Sequence, residues 1–82
     1  LRPGVFVRVR LILAERAGHN PRFLGLTRAL QDPRARVRPF GKPDTRRYRR
    51  MGVVVTYGDS VDDARERARA AAAMIEVVVD AG

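Results

Sequence analysis

An α+β fold, with a small and mostly antiparallel sheet carrying two helices in the order β-α-β-β-α-β, follows from three features of the 82-residue sequence. Val5, Val7, Val9, Leu11 and Leu13 recur at every second position, the period of a half-exposed strand. Met51 to Tyr57 contains Val53-Val54-Val55 and is the most strand-like run of the chain. Ala64, Ala68, Ala71, Ala72 and Ile75 fall on one face at helical spacing, small enough to pack closely on a sheet.

After the first strand, Gly18-His19-Asn20-Pro21 reads as a turn into a helix, with Asn20 as N-cap and Pro21 at the first helical position. That helix is expected to run to about Leu30. Gly25 inside it costs about 1 kcal/mol relative to alanine, and Asp32-Pro33 stops it, because a residue before proline avoids the helical basin. Arg36 to Phe40 reads as a short strand whose Pro39 places it at a sheet edge. Gly58-Asp59-Ser60 turns the chain into the second helix. Ser60 with Asp63 three residues on resembles a capping box, and Asp62 and Asp63 complement the helix dipole. Glu76-Val77-Val78-Val79-Asp80 closes as a last strand.

Residues 1–82 form one domain of a size that buries only about 60 to 65% of its unfolded surface. Eleven alanines and eleven valines dominate the apolar residues, so large core side chains are few and the domain is expected to lean on a larger body. The opening Leu1-Arg2-Pro3-Gly4, with no initiator methionine, leads to the expectation of a fragment. Cysteine is absent, which excludes disulfide and thiol chemistry. No stretch approaches the ~18 apolar residues of a membrane span and no leader pattern is present, so membrane partners are not expected and a cytoplasmic location is the default.

The net charge is +8, with 16 arginines and a single lysine, and such a surface favours anionic partners. Its distribution is uneven. Residues 34–50 hold Arg34, Arg36, Arg38, Lys42, Arg46, Arg47, Arg49 and Arg50 against Asp44 alone. Within this run, Lys42 lies between Gly41 and Pro43, a rigid frame that permits close approach to a ligand. Arg49 and Arg50 follow at the start of the next apolar run. Lys42 with Arg49 and Arg50 is therefore the candidate phosphate clamp, with Arg46 and Arg47 as auxiliary cations. Neighbours in a strand face opposite sides, so both arginines share one phosphate only if the strand begins after them or bulges there.

The segment Phe40-Gly41-Lys42-Pro43, followed without a gap by Arg49-Arg50-Met51-Gly52-Val53, resembles the C-terminal domain of formate-dependent phosphoribosylglycinamide formyltransferase, an ATP-grasp enzyme of purine synthesis. Fainter similarity covers Phe23 to Leu30 and Val61 to Arg67. The resemblance implies a rudimentary barrel-sandwich-hybrid fold and contact of Lys42, Arg49 and Arg50 with the substrate's phosphate. It also implies that ATP and Mg are bound by upstream domains of the parent, with no cofactor, metal ligand or catalytic residue in this chain. The partners it implies are a phosphorylated small molecule and the upstream ATP-grasp domain, within a parent that is a candidate homodimer. Thr45-Arg46-Arg47 departs from the family pattern, which carries an acidic or glycine-containing stretch there.

Two other readings compete. The β-α-β-β-α-β layout is also that of an RNA-recognition motif, but Arg50 to Tyr57 carries valines where base-stacking aromatics belong, which argues against nucleic acid. A structural C-terminal domain of another ATP-grasp ligase, such as the carboxylating enzyme acting on aminoimidazole ribotide, is the third. Gly41-Lys42 is not a P-loop, because Pro43 replaces the magnesium-holding Ser or Thr. His19, the one histidine, reads as a polar turn residue, and Asp62 and Asp63 read as helix-start charges rather than a catalytic pair.

Overall fold

A computed structural model describes residues 5–81; Leu1 to Gly4 and Gly82, and whatever the sequence suggests of them, lie outside the described residues. The elements are β1 (Phe6–Leu13), β2 (Gly18–Leu24), α1 (Leu26–Ala29), β3 (Ala35–Pro39), β4 (Asp44–Thr45), β5 (Arg50–Gly58), α2 (Val61–Met74) and β6 (Glu76–Asp80). The fold is α+β and antiparallel with two helices, but the order is β-β-α-β-β-β-α-β. Two three-stranded sheets replace the single expected one, in the orders β1-β5-β3 and β4-β2-β6.

The main correction lies between residues 18 and 30. The expected helix from Pro21 to Leu30 is instead strand β2, followed by a helix of only four residues. Local signals favoured a helix start at Asn20-Pro21, yet β2 finds a distant partner in β6, pairing Arg22 with Val78, Phe23 with Val77 and Leu24 with Glu76. Pro21, which cannot donate to a ladder, sits where the β2–β6 register shifts between His19 and Arg22. Asn20 there adopts a left-handed φ of 54°, a conformation asparagine tolerates better than most residues. Gly25 is likewise not a helix interior residue. It precedes α1 with φ 86°, and a Cβ on it would lie 1.8 Å from the carbonyl oxygen of Met74.

The other elements follow their local chemistry. Pro39 closes β3 at a sheet edge, as expected. At the start of α2, Ser60 Oγ accepts the Asp63 amide at 3.0 Å, while Asp63 Oδ2 accepts the Asp59 amide at 3.0 Å. Ala64, Ala68 and Ala71 are buried on the face of α2 that packs against β5 and β1. Thr56 is fully buried under this helix and donates its hydroxyl to the Ala64 carbonyl at 2.6 Å. The core joins both sheets: Ile12, Ala29, Ala35, Val54 and Ala71 pack with the half-buried Phe23, Val37, Ile75 and Val77.

Register assigns two faces to the β1-β5-β3 sheet. Ile12, Gly52, Val54, Thr56, Ala35 and Val37 share the inner one. The outer face carries Val7, Val9, Leu11 and Leu13, which are 40 to 56% exposed, beside Val53, Val55 and Tyr57 of β5. The valine stripe of β1 thus points away from α2.

An ion-pair network ties the entry of β3 to α2. Arg67 Nη1 donates to both oxygens of Asp32 at 2.8 Å, and its Nε to Asp63 at 3.2 Å. Burial pushes the Asp32 carboxyl up, but the Arg34 amide and the Arg67 guanidinium outweigh this and hold it below the ordinary value of 3.8.

Two predictions follow from this architecture. Gly25→Ala, which a buried helix glycine would welcome, is expected here to cost about 2 kcal/mol and lower the thermal midpoint by roughly 10 °C, measured by circular dichroism. A carboxyl whose pKa is lower in the folded than in the unfolded chain adds stability above its ordinary value and loses it as pH falls below that value. Melting temperatures should therefore drop below about pH 4, and Asp32→Asn should make that drop shallower while lowering stability at neutral pH.

Candidate functional site

The basic loop begins where β3 ends. Phe40 donates its amide to the Met51 carbonyl at 2.9 Å, so the chain leaves and re-enters the sheet side by side. Gly41 takes φ 70° with open space around it; its backbone angle, not crowding, calls for glycine. The loop then adds β4 to the second sheet, Asp44 opposite His19 and Thr45 opposite Gly18. Buried Thr45 donates its hydroxyl to the Arg16 carbonyl at 2.7 Å, and Asn20 donates its amide to the Pro43 carbonyl at 3.3 Å.

The arginine-rich part is a turn rather than a strand. Arg49 donates its amide to the Arg46 carbonyl at 3.0 Å, and Tyr48 stands at φ 68°. The end of β1 clamps this turn, the Tyr48 amide donating to the Ala14 carbonyl and the Ala14 amide to the Arg49 carbonyl, each at 2.8 Å. Arg50 opens β5 at a bulge, since Ile12 faces Gly52 while Leu13 faces Arg50. The alternation that would send Arg49 and Arg50 to opposite faces is therefore broken at both residues.

Lys42, Arg46, Arg47, Tyr48, Arg49 and Arg50 line one open cavity of about 300 Å³. The structure brings all five sequence-predicted cations together. The Arg47 guanidinium lies 4.8 Å from the centre of the Tyr48 ring, and Arg49 Nη1 donates to Asp44 Oδ1 at 3.0 Å. Among the described residues, Lys42, Arg46, Arg47 and Arg50 have no carboxylate within ion-pair distance. Five cations with one neighbouring acid focus an attractive field on anions. Lysine and arginine donors suit an ionised oxygen, with Arg able to offer two parallel bonds.

Each end of the cluster adjoins another cavity. Lys42 borders one of about 250 Å³ lined mainly by Pro21, Phe23, Leu26, Pro39 and Met51. Arg49 borders one of about 490 Å³ that includes His19, Asp44 and Thr45. His19 is thus a strand residue beside the site rather than a turn residue. Sequence reasoning did not single out Asp44, Thr45 or Tyr48 as site residues. Asp44 carried one signal, as the sole acid of the basic run; Tyr48 carried none, because its position depends on the clamp to Ala14.

Residues 9–75 match the family model described as PurT, C-terminal. The chain is 48% identical over 67 residues to the formate-dependent phosphoribosylglycinamide formyltransferase of Sulfurisphaera tokodaii, covering 82% of this chain and 17% of that protein. It is also 48% identical over 69 residues to the enzyme of the same name from Chlorobaculum tepidum, covering 84% of this chain and 18% of that one. Among solved structures, N5-carboxyaminoimidazole ribonucleotide synthetase from Thermotoga maritima matches with a TM-score of 0.81 at 30% identity, over 90% of this chain and 21% of that one. The chain thus spans about a sixth of the length of the relatives it matches. The family model covers most of the chain, and the chain belongs to the family of PurT C-terminal domains.

Proposed function

We propose that this chain is the substrate-phosphate-holding domain of an ATP-grasp formyltransferase of purine synthesis, one that makes formyl-phosphoribosylglycinamide from formate, ATP and phosphoribosylglycinamide. The observation that carries the proposal is the single cavity shared by Lys42, Arg49 and Arg50, with Arg46 and Arg47 at its wall. In this role Lys42 supplies a compact charge to the phosphate and the two guanidinium groups supply directed hydrogen bonds. Fixing the phosphoribosyl end places the glycinamide amine for its reaction elsewhere in the enzyme, so the domain contributes positioning rather than bond-making.

No ATP or Mg site is assigned to these residues. Among the described residues no group of three His, Cys, Asp or Glu stands close enough to hold a metal ion. ATP and Mg belong, in this proposal, to the ATP-grasp part of the parent, where ATP activates formate. The same parent supplies the body that covers the outer face of the β1-β5-β3 sheet, whose exposed Val7, Val9, Leu11 and Leu13 suit an apolar contact. The barrel-sandwich-hybrid character, the cytoplasmic location and a homodimeric parent complete the proposal by family resemblance.

A structural domain of a carboxylating ligase is the second reading, favoured by the TM-score of 0.81 to the ribonucleotide synthetase. The higher identity to formyltransferases, 48% against 30%, favours the first. The layout shared with an RNA-recognition motif no longer supports that alternative, because the strands divide into two sheets.

Steady-state kinetics of the parent enzyme test the proposal. A hydrogen bond to an ionised group contributes about 1.5 to 3 kcal/mol, so Lys42→Ala should raise the KM for the phosphoribosyl substrate by roughly 10- to 100-fold. The KM for ATP should stay nearly constant, because the contact is to the substrate's remote end. A variant that raises the KM for ATP and spares the other substrate would reverse the assignment.

A further inference from the structure

We infer that Asp44 is a positioning residue for Arg49, holding one arm of its guanidinium so that the other edge is presented to a phosphate; this rests on the phosphate-binding reading above. Asp44 Oδ1 accepts from Arg49 Nη1 at 3.0 Å. Among the described residues that is the one side-chain hydrogen bond Arg49 makes. A guanidinium has five N–H donors in a planar fork. With Nη1 engaged, the Nε and Nη2 edge keeps two parallel donors, the arrangement that fits two oxygens of a phosphate.

Both ends of this contact are fixed independently. Asp44 pairs with His19 in the second sheet, and its neighbour Thr45 is buried and bonded to Arg16. Arg49 is held through its amide by Arg46 and through its carbonyl by Ala14. The ion pair therefore closes a loop whose backbone is already set, and it acts on the side chain's direction. Arg49, like Arg46, lines both the basic cavity and the one containing Asp44 and His19. Without Asp44 the long side chain of Arg49 is free to turn into either.

Two effects of the carboxylate oppose each other. Its charge repels a phosphate, whereas its hydrogen bond removes rotamer freedom that binding would otherwise have to remove. The Asp44 side chain is 57% exposed, so solvent and salt screen the repulsion. Orientation is the larger effect, which gives the experiment a sign.

The parent enzyme is titrated with ribose 5-phosphate, and with ribose as the neutral control, by calorimetry, and circular dichroism reports whether each variant is folded. Asp44→Ala should weaken ribose 5-phosphate binding by about fivefold, and Asp44→Asn, which keeps the acceptor without the charge, by about twofold. Arg49→Ala should weaken it more, and the double variant Asp44→Ala with Arg49→Ala should bind no worse than Arg49→Ala alone. Unchanged or tighter binding by both Asp44 variants overturns the inference, as does a double variant whose losses simply add. If the unsubstituted parent enzyme binds ribose 5-phosphate no better than ribose, the phosphate reading itself falls, and this inference with it.

Discussion

Like-charge repulsion within the basic loop is the constraint around which the site is arranged. Lys42, Arg46, Arg47, Arg49 and Arg50 share one cavity wall, and only the Asp44 contact offsets charge directly there among the described residues. Closure comes instead from uncharged hydrogen bonds: Tyr48 and Arg49 to Ala14, Thr45 to Arg16, and Asn20 to Pro43. All reach into residues 14–20, the connection from β1 into β2. The strand character of β2 at Gly18 and His19 is thus a precondition of the site, since a turn over residues 18–21 would leave β4 without its partner. Holding cations together before the ligand arrives places the cost in folding, where backbone pairing offsets it, and leaves the anion to meet a field already assembled.

Most of the fold was legible wherever one element's own pattern decided its form. The alternation of β1, the proline at the end of β3, the valines of β5, the Ser60 cap and the alanine face of α2 all appear where local chemistry puts them. Residues 18–30 were not legible in this way. Asn20-Pro21 and Gly25 carry helix-start and helix-interior meanings when read locally, but pairing with β6, more than fifty residues away, overrides them. Non-local ladders of this kind leave little trace in a short window. The presence of two sheets is a consequence of the same omission.

The candidate site divides along the same line. Lys42, Arg49 and Arg50 stand out because their types and spacing carry the chemistry, and the bulge at Arg50 removes the geometric objection to their convergence. Asp44 and Tyr48 enter through loop closure. Tyr48 adopts a left-handed backbone that most non-glycine residues avoid, and it does so with its amide held by Ala14 and its ring under the Arg47 guanidinium.

The outward-facing valine stripe of β1 carries a practical consequence for the isolated polypeptide. Copies in dilute buffer are kept apart by a net charge of +8, which does for solubility what a covering surface would do for the apolar strip. Physiological ionic strength shortens the reach of that charge to about 8 Å, and sticky collisions between uncovered strips then become frequent. Concentrating and storing the polypeptide at low ionic strength preserves it as single molecules for longer than a saline buffer does.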